Sequence, residues 1–238
     1  VDIVTVANEK HVGVVCPGSS AEIHSVENQQ SVLTGGNVNI NAGSDVNIQG
    51  GLIAADKEVN VNADGNVNIN AVKDSYSEET QVGSRGGSNY YHDKVVDEKV
   101  KGTNIAGKED ISVSAGSDIN VKGSSLTSEE GKGSLAAGGN VNITNENEYH
   151  EKLHESHEKS KGFLSSKTTD IYDYSNISGV VSSNVSAGSV DIQSGKDTNV
   201  KGSNVVADND VSVKAGGNLN IESAEQKSES EYIKSVMK

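Results

Sequence analysis

The stretch HEKLH at residues 150–154 has the residue types of a zinc protease site. On a helix, His150 and His154 stand one turn apart and can bind one Zn²⁺, while Glu151 activates a water molecule. His157 is close enough in sequence to be considered as a third ligand. The motif needs a helix with an apolar back, and the surrounding NENEYHEKLHESHEKSKG offers only one Tyr and one Leu for that purpose. A zinc metalloprotease is therefore the least favoured interpretation of this chain.

The polar, alternating character of the same stretch favours a strand. His150 and His154 would then share a face but lie roughly 13 Å apart at about 3.3 Å per residue, which is too far for one Zn²⁺. We expect no metal site, and His150, His154 and His157 are candidates only for adventitious metal binding.

No cofactor and no other catalytic group is expected. GGNVNINAG at 35–43 lacks the third Gly and the Asp of calcium-binding nonapeptides. Cys16 is the single Cys, so it forms no internal disulfide, and an idle thiol is favoured over a nucleophile. The only Arg, Arg85, lies outside the repeats, and no groove of paired acids with aromatic platforms is indicated. The sequence predicts a protein that is not an enzyme.

Aromatic side chains are confined to segments 71–104 and 144–184 and to a shorter segment that begins at residue 222. All seven Tyr lie there, together with the single Phe and four of the six His. The candidates for partner contact are Tyr76, Tyr90, Tyr91, Tyr149, Phe163, Tyr172 and Tyr174. The alternative is that these rings only pack one segment against another or against the rest of the chain.

Between these segments, apolar triplets such as VNI at 38–40 return with a fixed period. Val38 to Val59 and Val46 to Val67 are both 21 residues, and three triplets fall within each period. The outer residues of a triplet are apolar and the middle one is usually Asn, which is the period-two alternation of a strand with an apolar inner face. A self-similar period near 20 residues indicates a solenoid. We predict an all-β fold, a parallel β-helix with three short strands per coil of about 21 residues.

Stacking such coils at about 4.8 Å would superpose the middle residues of successive triplets. Ladders of amides are therefore expected for Asn39 and Asn60, Asn47 and Asn68, and Asn199 and Asn220. Corner motifs such as AGSD, ADGN and AGGN supply Gly for the turns and Asp or Asn to bond to the local backbone. Ile119 to Val141 is 22 residues, so one insertion is predicted in the turn at 127–132.

The two polar segments leave the repeats after equivalent triplets, and each has Gly near its middle. We interpret them as β-hairpin arms that project from one corner, about 10 Å apart because two coils separate them. The predicted divisions are 1–31, a cap or the end of a preceding arm; 32–70, coils one and two; 71–104, an arm; 105–143, coils three and four; 144–184, an arm; 185–221, coils five and six; and 222–238, the start of a third arm. Strand edges at both ends lead us to expect a longer array.

The net charge excludes one class of partner. The chain carries 34 Asp and Glu against 20 Lys and Arg, a formal charge of −14. Nucleic acids and anionic membrane surfaces would repel it at long range. We expect no nucleic acid partner.

The runs AGSDINVKGSSLTSEEGKGSLAAGGNVNIT at 115–144, NENEYHEKLHESHEKSKG at 145–162 and VDIQSGKDTNVKGSNVVADNDVSVKAGGNLNIESAEQ at 190–226 resemble a known family. They are similar to the haemagglutinin repeats of filamentous haemagglutinin-like exoproteins, above all to the second repeat region of contact-dependent growth inhibition toxins. The resemblance covers about residues 32–232. It implies a right-handed parallel β-helix, export through an outer-membrane transporter by two-partner secretion, and display on the surface of Gram-negative bacteria.

In the toxin members, the second repeat region is implicated in engaging the target cell's outer membrane and in toxin delivery. The resemblance thus implies a segment of a secreted, surface-displayed adhesin or toxin that contacts a target or host cell surface, the outer membrane included. A pure structural spacer is the alternative. Complete members also carry a secretion domain, a receptor-binding region and a toxin, none of which we expect within these 238 residues.

Overall fold

The apolar triplets form strands whose outer residues point inward. In the strand Val46–Gln49, Val46 and Ile48 are fully buried, while Asn47 and Gln49 lie on the opposite face. The computed structural model describes residues 1–84 and 86–238, which form strands and turns and no helix. Accordingly, the described residues include no helix of the length and apolarity needed to span a membrane. Arg85 lies outside the described residues.

In chain order, residues 1–70 form β1 (Asp2–Val4), β2 (Val6–Cys16), β3 (Ser19–Gln29), β4 (Val32–Gly35), β5 (Val38–Ala42), β6 (Val46–Gln49), β7 (Leu52–Ala55), β8 (Val59–Ala63) and β9 (Val67–Asn70). Residues 71–144 form β10 (Val72–Gly83), β11 (Asn89–Lys101), β12 (Asn104–Gly107), β13 (Ile111–Ala115), β14 (Ile119–Lys122), β15 (Ser125–Ser128), β16 (Lys132–Ala137) and β17 (Val141–Thr144). Residues 145–238 form β18 (Glu146–Lys161), β19 (Ser166–Val181), β20 (Asn184–Ala187), β21 (Ser189–Ser194), β22 (Thr198–Lys201), β23 (Asn204–Ala207), β24 (Val211–Ala215), β25 (Leu219–Glu222) and β26 (Lys227–Met237).

Successive short strands belong in turn to three parallel sheets. Sheet 1 contains β4, β7, β12, β15, β20 and β23; sheet 2 contains β5, β8, β13, β16, β21 and β24; sheet 3 contains β1, β6, β9, β14, β17, β22 and β25. Each coil therefore stacks directly on the next by parallel pairing. The predicted all-β fold, a parallel β-helix, is confirmed.

The pairing registers also locate the irregular coil. Ile105 pairs with Leu126, 21 residues later, whereas Ile111 pairs with Gly133, 22 residues later. The extra residue therefore lies between β15 and β16, within the turn where the sequence spacing predicts it.

The core of the coils is a column of aliphatic side chains. Its buried cluster consists of Val, Ile, Leu and Ala, and side chains such as Val59, Val67 and Ile119 are 0% exposed. Each strand directs alternate residues into the column, where they stack on their counterparts in the next coil. The narrow space between three sheets favours branched aliphatic residues, which explains why rings are missing from the periodic part of the sequence.

The amides on the outside of sheet 3 form a continuous ladder. From Asn68 onward, each side-chain Nδ2 donates to the Oδ1 of the Asn one coil earlier, at 2.7–2.8 Å, and Asn47 donates to Asp2. The members in order are Asn47, Asn68, Asn120, Asn142, Asn199 and Asn220. On sheet 2, Asn60 donates to Asn39 at 3.1 Å. All six residues proposed from the sequence therefore take part in amide ladders.

The corner between sheets 2 and 3 carries alternating Asp and Asn. Asp45 accepts from the backbone N–H of Asn66 at 2.6 Å, and Asn66 in turn accepts from that of Asp118 at 3.1 Å. The expectation of bonds within the local backbone is wrong in this respect, because these side chains bond to the following coil. Because Asp and Asn alternate from coil to coil, neighbouring carboxylates in this corner lie about 9.6 Å apart. An Asp in every coil would place them about 4.8 Å apart, where they would repel each other more strongly.

Residues 1–31 contain a strand of sheet 3 and a hairpin. Within β1, Ile3 pairs with Ile48 of β6, so this stretch extends sheet 3 by one strand. β2 and β3 then pair antiparallel, from Val6 with Gln29 to Cys16 with Ser19. The predicted cap or end of a preceding arm thus consists of β1, which pairs with the coils, and of a complete hairpin arm.

Candidate interaction surface on the arms

All long strands leave the coils at the corner between sheets 3 and 1. There the chain alternates between a tight turn and an arm. The tight turns contain Gly50, Gly123 and Gly202, each with positive φ. A Cβ on Gly123 would lie 2.7 Å from the Cβ of Glu146, and one on Gly202 would lie 2.4 Å from that of Ala224. Each tight turn is therefore enclosed by the roots of arms, and only Gly fits.

A column of hydroxyl groups marks the same corner, and the sequence reasoning missed it. Thr103 and Ser183 are both 0% exposed, and their hydroxyls donate to carbonyl oxygens of sheet 3, at 2.7 Å to Asn70 and 2.6 Å to Thr144. Ser124 continues the column by accepting from the N–H of Thr103 at 3.1 Å. A signal was present in the sequence: a Ser or Thr stands two residues before the inward apolar residue of every sheet 1 strand except β7, where Gly51 takes its place.

The arms form one antiparallel sheet of seven strands, in the order β2, β3, β10, β11, β18, β19, β26. We refer to it as the arm sheet. Hairpins β2–β3, β10–β11 and β18–β19 pair internally, and neighbouring arms pair as well, β3 with β10, β11 with β18 and β19 with β26. Two coils rise about 9.6 Å, which is also the width of two paired strands. Because one arm leaves every two coils, adjacent arms arrive at hydrogen-bonding distance.

The two faces of the arm sheet can be assigned from its registers, since directly paired residues share a face and neighbours alternate. One row joins Tyr76, Asp97, His150 and Ile177, and defines the Tyr76 face. Another joins Glu79, Lys94, Leu153 and Tyr174, and defines the Tyr174 face.

The aromatic residues proposed for partner contact divide between these faces. Tyr76 and Tyr91 belong to the Tyr76 face, and the Tyr174 face holds Tyr90, Tyr149, Tyr172 and Tyr174. Their exposure differs greatly: Tyr90 is 5% exposed, Tyr76 is 37% exposed, and Phe163 in the tip of an arm is fully exposed. Tyr172 and Tyr174 stack with ring centroids 6.3 Å apart. The structure therefore does not gather the seven residues into one site.

All six His lie on the arm strands, which adds His11 and His24 to the four expected there. Each has a ring nitrogen within hydrogen-bonding distance of a carboxylate. Three of these contacts join adjacent arms: His150 to Asp97 and His154 to Asp93, both 2.5 Å, and His92 to Glu155, 3.3 Å.

HEKLH lies in strand β18, so the helix required by the zinc protease motif is not formed. His150 and His154 share the Tyr76 face, whereas His157 pairs with Tyr90 and lies on the opposite face. Among the described residues, no three His, Cys, Asp or Glu side chains are grouped so that they could hold a metal ion. This geometry removes the basis of the metalloprotease interpretation.

Tyrosine hydroxyls of the arms also engage carboxylates. Tyr149 donates to Glu151 at 2.6 Å, and Tyr76 donates to Glu78 at 2.7 Å. The hydrogen bond to Glu151 raises the pKa of Tyr149 above its ordinary value. The Lys94 ammonium, 2.8 Å from Glu151, together with Tyr149, lowers the pKa of that carboxyl.

Charged groups stabilise the roots of the arms. Asp74 accepts from the backbone N–H of Asn28 at 2.7 Å and lies 3.6 Å from the Lys101 ammonium. Burial alone would raise the pKa of Asp74, but the hydrogen bonds from Asn28 and the charge of Lys101 outweigh it, so the pKa is lowered. At the next root, Glu146 lies 2.7 Å from Lys122 of the coil strand β14 and 3.9 Å from Lys73 of the preceding arm. Burial opposes ionisation there too, yet Lys122 and the N–H of Asn147 lower the pKa of Glu146.

A family model described as "Hemagglutinin repeat" matches residues 17–91 and 84–235. The chain belongs to the hemagglutinin repeat family. The resemblance noted in the sequence is thus confirmed. In this chain, the structural unit of the hemagglutinin repeat comprises two coils and the arm that follows them, because arms, tight turns and the Asp–Asn alternation all recur at every second coil.

Two curated relatives match about half of this chain. One is "tRNA nuclease CdiA-2" of Burkholderia pseudomallei strain 1026b, 35% identical over 135 residues, which is 56% of this chain and 4% of the relative. The other is "16S rRNA endonuclease CdiA" of Enterobacter cloacae subsp. cloacae, 33% identical over 131 residues, 54% of this chain and 4% of the relative. The aligned part is therefore a small fraction of either protein. No solved structure matches the chain.

Proposed function

We propose that this chain is a non-enzymatic repeat segment of a large, secreted filamentous adhesin or contact-dependent inhibition toxin. In this proposal the coils form the stalk, and the arm sheet contacts the envelope of a target or host cell during attachment or toxin delivery. The parent protein is exported through an outer-membrane transporter and displayed on the bacterial surface. The nuclease activities named for the two relatives are not assigned to this segment, because it aligns with only 4% of their length.

The observation that carries the proposal is the division of chemistry between coils and arms. The coils bury aliphatic side chains and show repetitive amides, whereas all Tyr and His lie on the arm strands. Aromatic and charged side chains on a two-sided sheet provide varied contacts, and the regular stack of coils holds their spacing constant. Recognition is thus best assigned to the arms.

A pure spacer is the second candidate, and one observation favours it. Many of the polar groups on the arms already have partners within the sheet, such as Tyr149 with Glu151 and His154 with Asp93. If these pairs only fasten arm to arm, the arm sheet stiffens the stalk and contacts nothing else.

The two candidates can be separated in the full-length parent protein. Tyr76 and Tyr91 on one face, and Tyr172 and Tyr174 on the other, are replaced in pairs by Ser, and Tyr90 is left unchanged because it is buried. Secretion, cell attachment and toxin delivery are measured for each pair. Normal secretion with attachment or delivery reduced by at least about tenfold, a loss of 1.4 kcal/mol, supports contact by the arms.

The matched control replaces Asn47 and Asn68 by Ser in the sheet 3 ladder, away from the arms. Unchanged attachment and delivery in both tyrosine variants would overturn the contact role and leave the spacer. An equal loss in the ladder control would show that any weakening of the stalk suffices, which also argues against specific contact.

A further inference from the structure

The exposed apolar side chains of the arm sheet are unequally divided between its faces. Eleven large apolar side chains on the arm strands are exposed, and eight of them lie on the Tyr76 face. On the interior strands β3, β10, β11, β18 and β19, the exposed ones are Tyr76 at 37%, Val82 at 46% and Ile177 at 42%, and all three belong to this face. The other five are on β2 and β26.

From this asymmetry, we propose that the Tyr76 face is a self-association surface on which a second copy of this chain packs its own Tyr76 face. This inference goes beyond the proposed function, since it concerns pairing between copies and requires no target cell. Exposed apolar patches on a soluble protein mark interaction sites, and a two-fold pair of identical faces is the simplest closed arrangement.

The size of the face suits a stable contact. Seven strands at about 4.8 Å and eleven residues at about 3.3 Å give a plan area of about 1,200 Å². A standard protein interface needs about 800 Å² on each partner. Partial overlap of two arm sheets therefore still reaches the size of a specific interface.

Two features favour a second copy over an unrelated partner. The arm sheet repeats at about 9.6 Å along the stalk, and an identical copy alongside presents apolar rows with the same repeat. The Tyr76 face also carries charges of both signs, such as Lys99 and Lys152 beside Asp93 and Asp97, so two copies can pair opposite charges across a two-fold axis. An unrelated partner would have to reproduce both the period and the charge pattern.

The test uses the 238-residue chain in solution, with its mass measured by sedimentation from low to high micromolar concentration. The variant Tyr76→Lys, Val82→Lys, Ile177→Lys places three charges on the Tyr76 face. The matched control Ser77→Lys, Gln81→Lys, Ser178→Lys changes the chain neighbour of each residue, adds the same charge and points to the Tyr174 face. Circular dichroism and thermal melting confirm that both variants remain folded.

We expect the wild type and the control to form dimers in a concentration-dependent manner. In the Tyr76-face variant, the dissociation constant of the dimer should rise about 100-fold or more. A monomeric wild type at all concentrations, or equal weakening by both variants, would overturn the proposal. Because no cells are involved, its failure would leave the proposed attachment role untouched.

Thiol reactivity gives a second measurement in case the triple variant does not fold. In a Cys16→Ser background, Ile177→Cys should react more slowly with a thiol reagent as protein concentration rises, whereas Ser178→Cys should react at a constant rate. Constant reactivity of Ile177→Cys at every concentration would contradict burial of the Tyr76 face between two copies.

Discussion

The coils and the arms share one strand spacing but are stabilised by different interactions. In the coils, parallel strands enclose an aliphatic column, and side chains such as Val46 and Ile48 are completely buried. In the arm sheet, antiparallel strands enclose nothing, and most side chains on the interior strands are half-buried. The comparison teaches that the coils supply stability through burial, while the arms depend on backbone pairing and charged contacts and can vary their surface chemistry more freely.

The largest expected effect comes from placing a charge in each region. Ile119→Asp buries a carboxylate in the aliphatic column, where it finds no partner, and should cost more than about 4 kcal/mol or prevent folding. Val82→Asp puts the same group on a half-exposed site of the arm sheet and should cost about 0.5 kcal/mol or less. Urea unfolding midpoints measure both. Similar losses would contradict the division of stability between coils and arms.

A smaller effect is expected at the tight turns between arms. Gly123→Ala forces a side chain onto a residue with φ of +58° and brings its Cβ within 2.7 Å of Glu146. The cost should be about 2–3 kcal/mol, measured by thermal or urea unfolding. Gly36→Ala is the control, because nothing lies within 4 Å of its Cβ position and its φ is not positive. If Gly123→Ala is as stable as Gly36→Ala, the arm roots do not enclose the turn.

The amide ladder should contribute less than the turns. Asn120→Ala removes two ladder hydrogen bonds, to Asn68 and from Asn142, each 2.8 Å. At about 0.5–1.5 kcal/mol per bond, the loss should be about 1–3 kcal/mol. Asn39→Ala removes a single ladder bond at the end of a column and should lose about half as much. Equal losses at both positions would show that the amides act independently of the ladder.

The coils were predictable because the same pattern, an apolar-polar-apolar triplet followed by a Gly-containing corner, recurs in each coil. The 21-residue period, the inward Val and Ile and the stacked Asn47 and Asn68 all follow from alternation and stacking. The arm sheet was only partly predictable: Gly86 and Gly162 indicated hairpins, but pairing between arms depends on the coincidence of coil rise and hairpin width. Cross-strand contacts such as His154 with Asp93 require a register that periodicity does not reveal.

The smallest expected effect is a difference between arms and coils in how their stability depends on pH. The pKa values of Asp74, Glu146 and Glu151 are lowered in the folded arms, so their contribution is present above the ordinary carboxyl pKa and is lost as pH falls through the lowered values. In the described part of the coils, Asp191 on the outer side of sheet 2 is the one carboxyl with a lowered pKa. Amide exchange in the arms, which hold three such groups, should therefore accelerate on acidification before exchange in most of the coils. Glu146→Gln should reduce that dependence by about 1 kcal/mol or less, since the site is partly exposed. Equal acceleration in coils and arms, or an unchanged pH dependence in Glu146→Gln, would mean that the charged groups at the roots do not stabilise the arms.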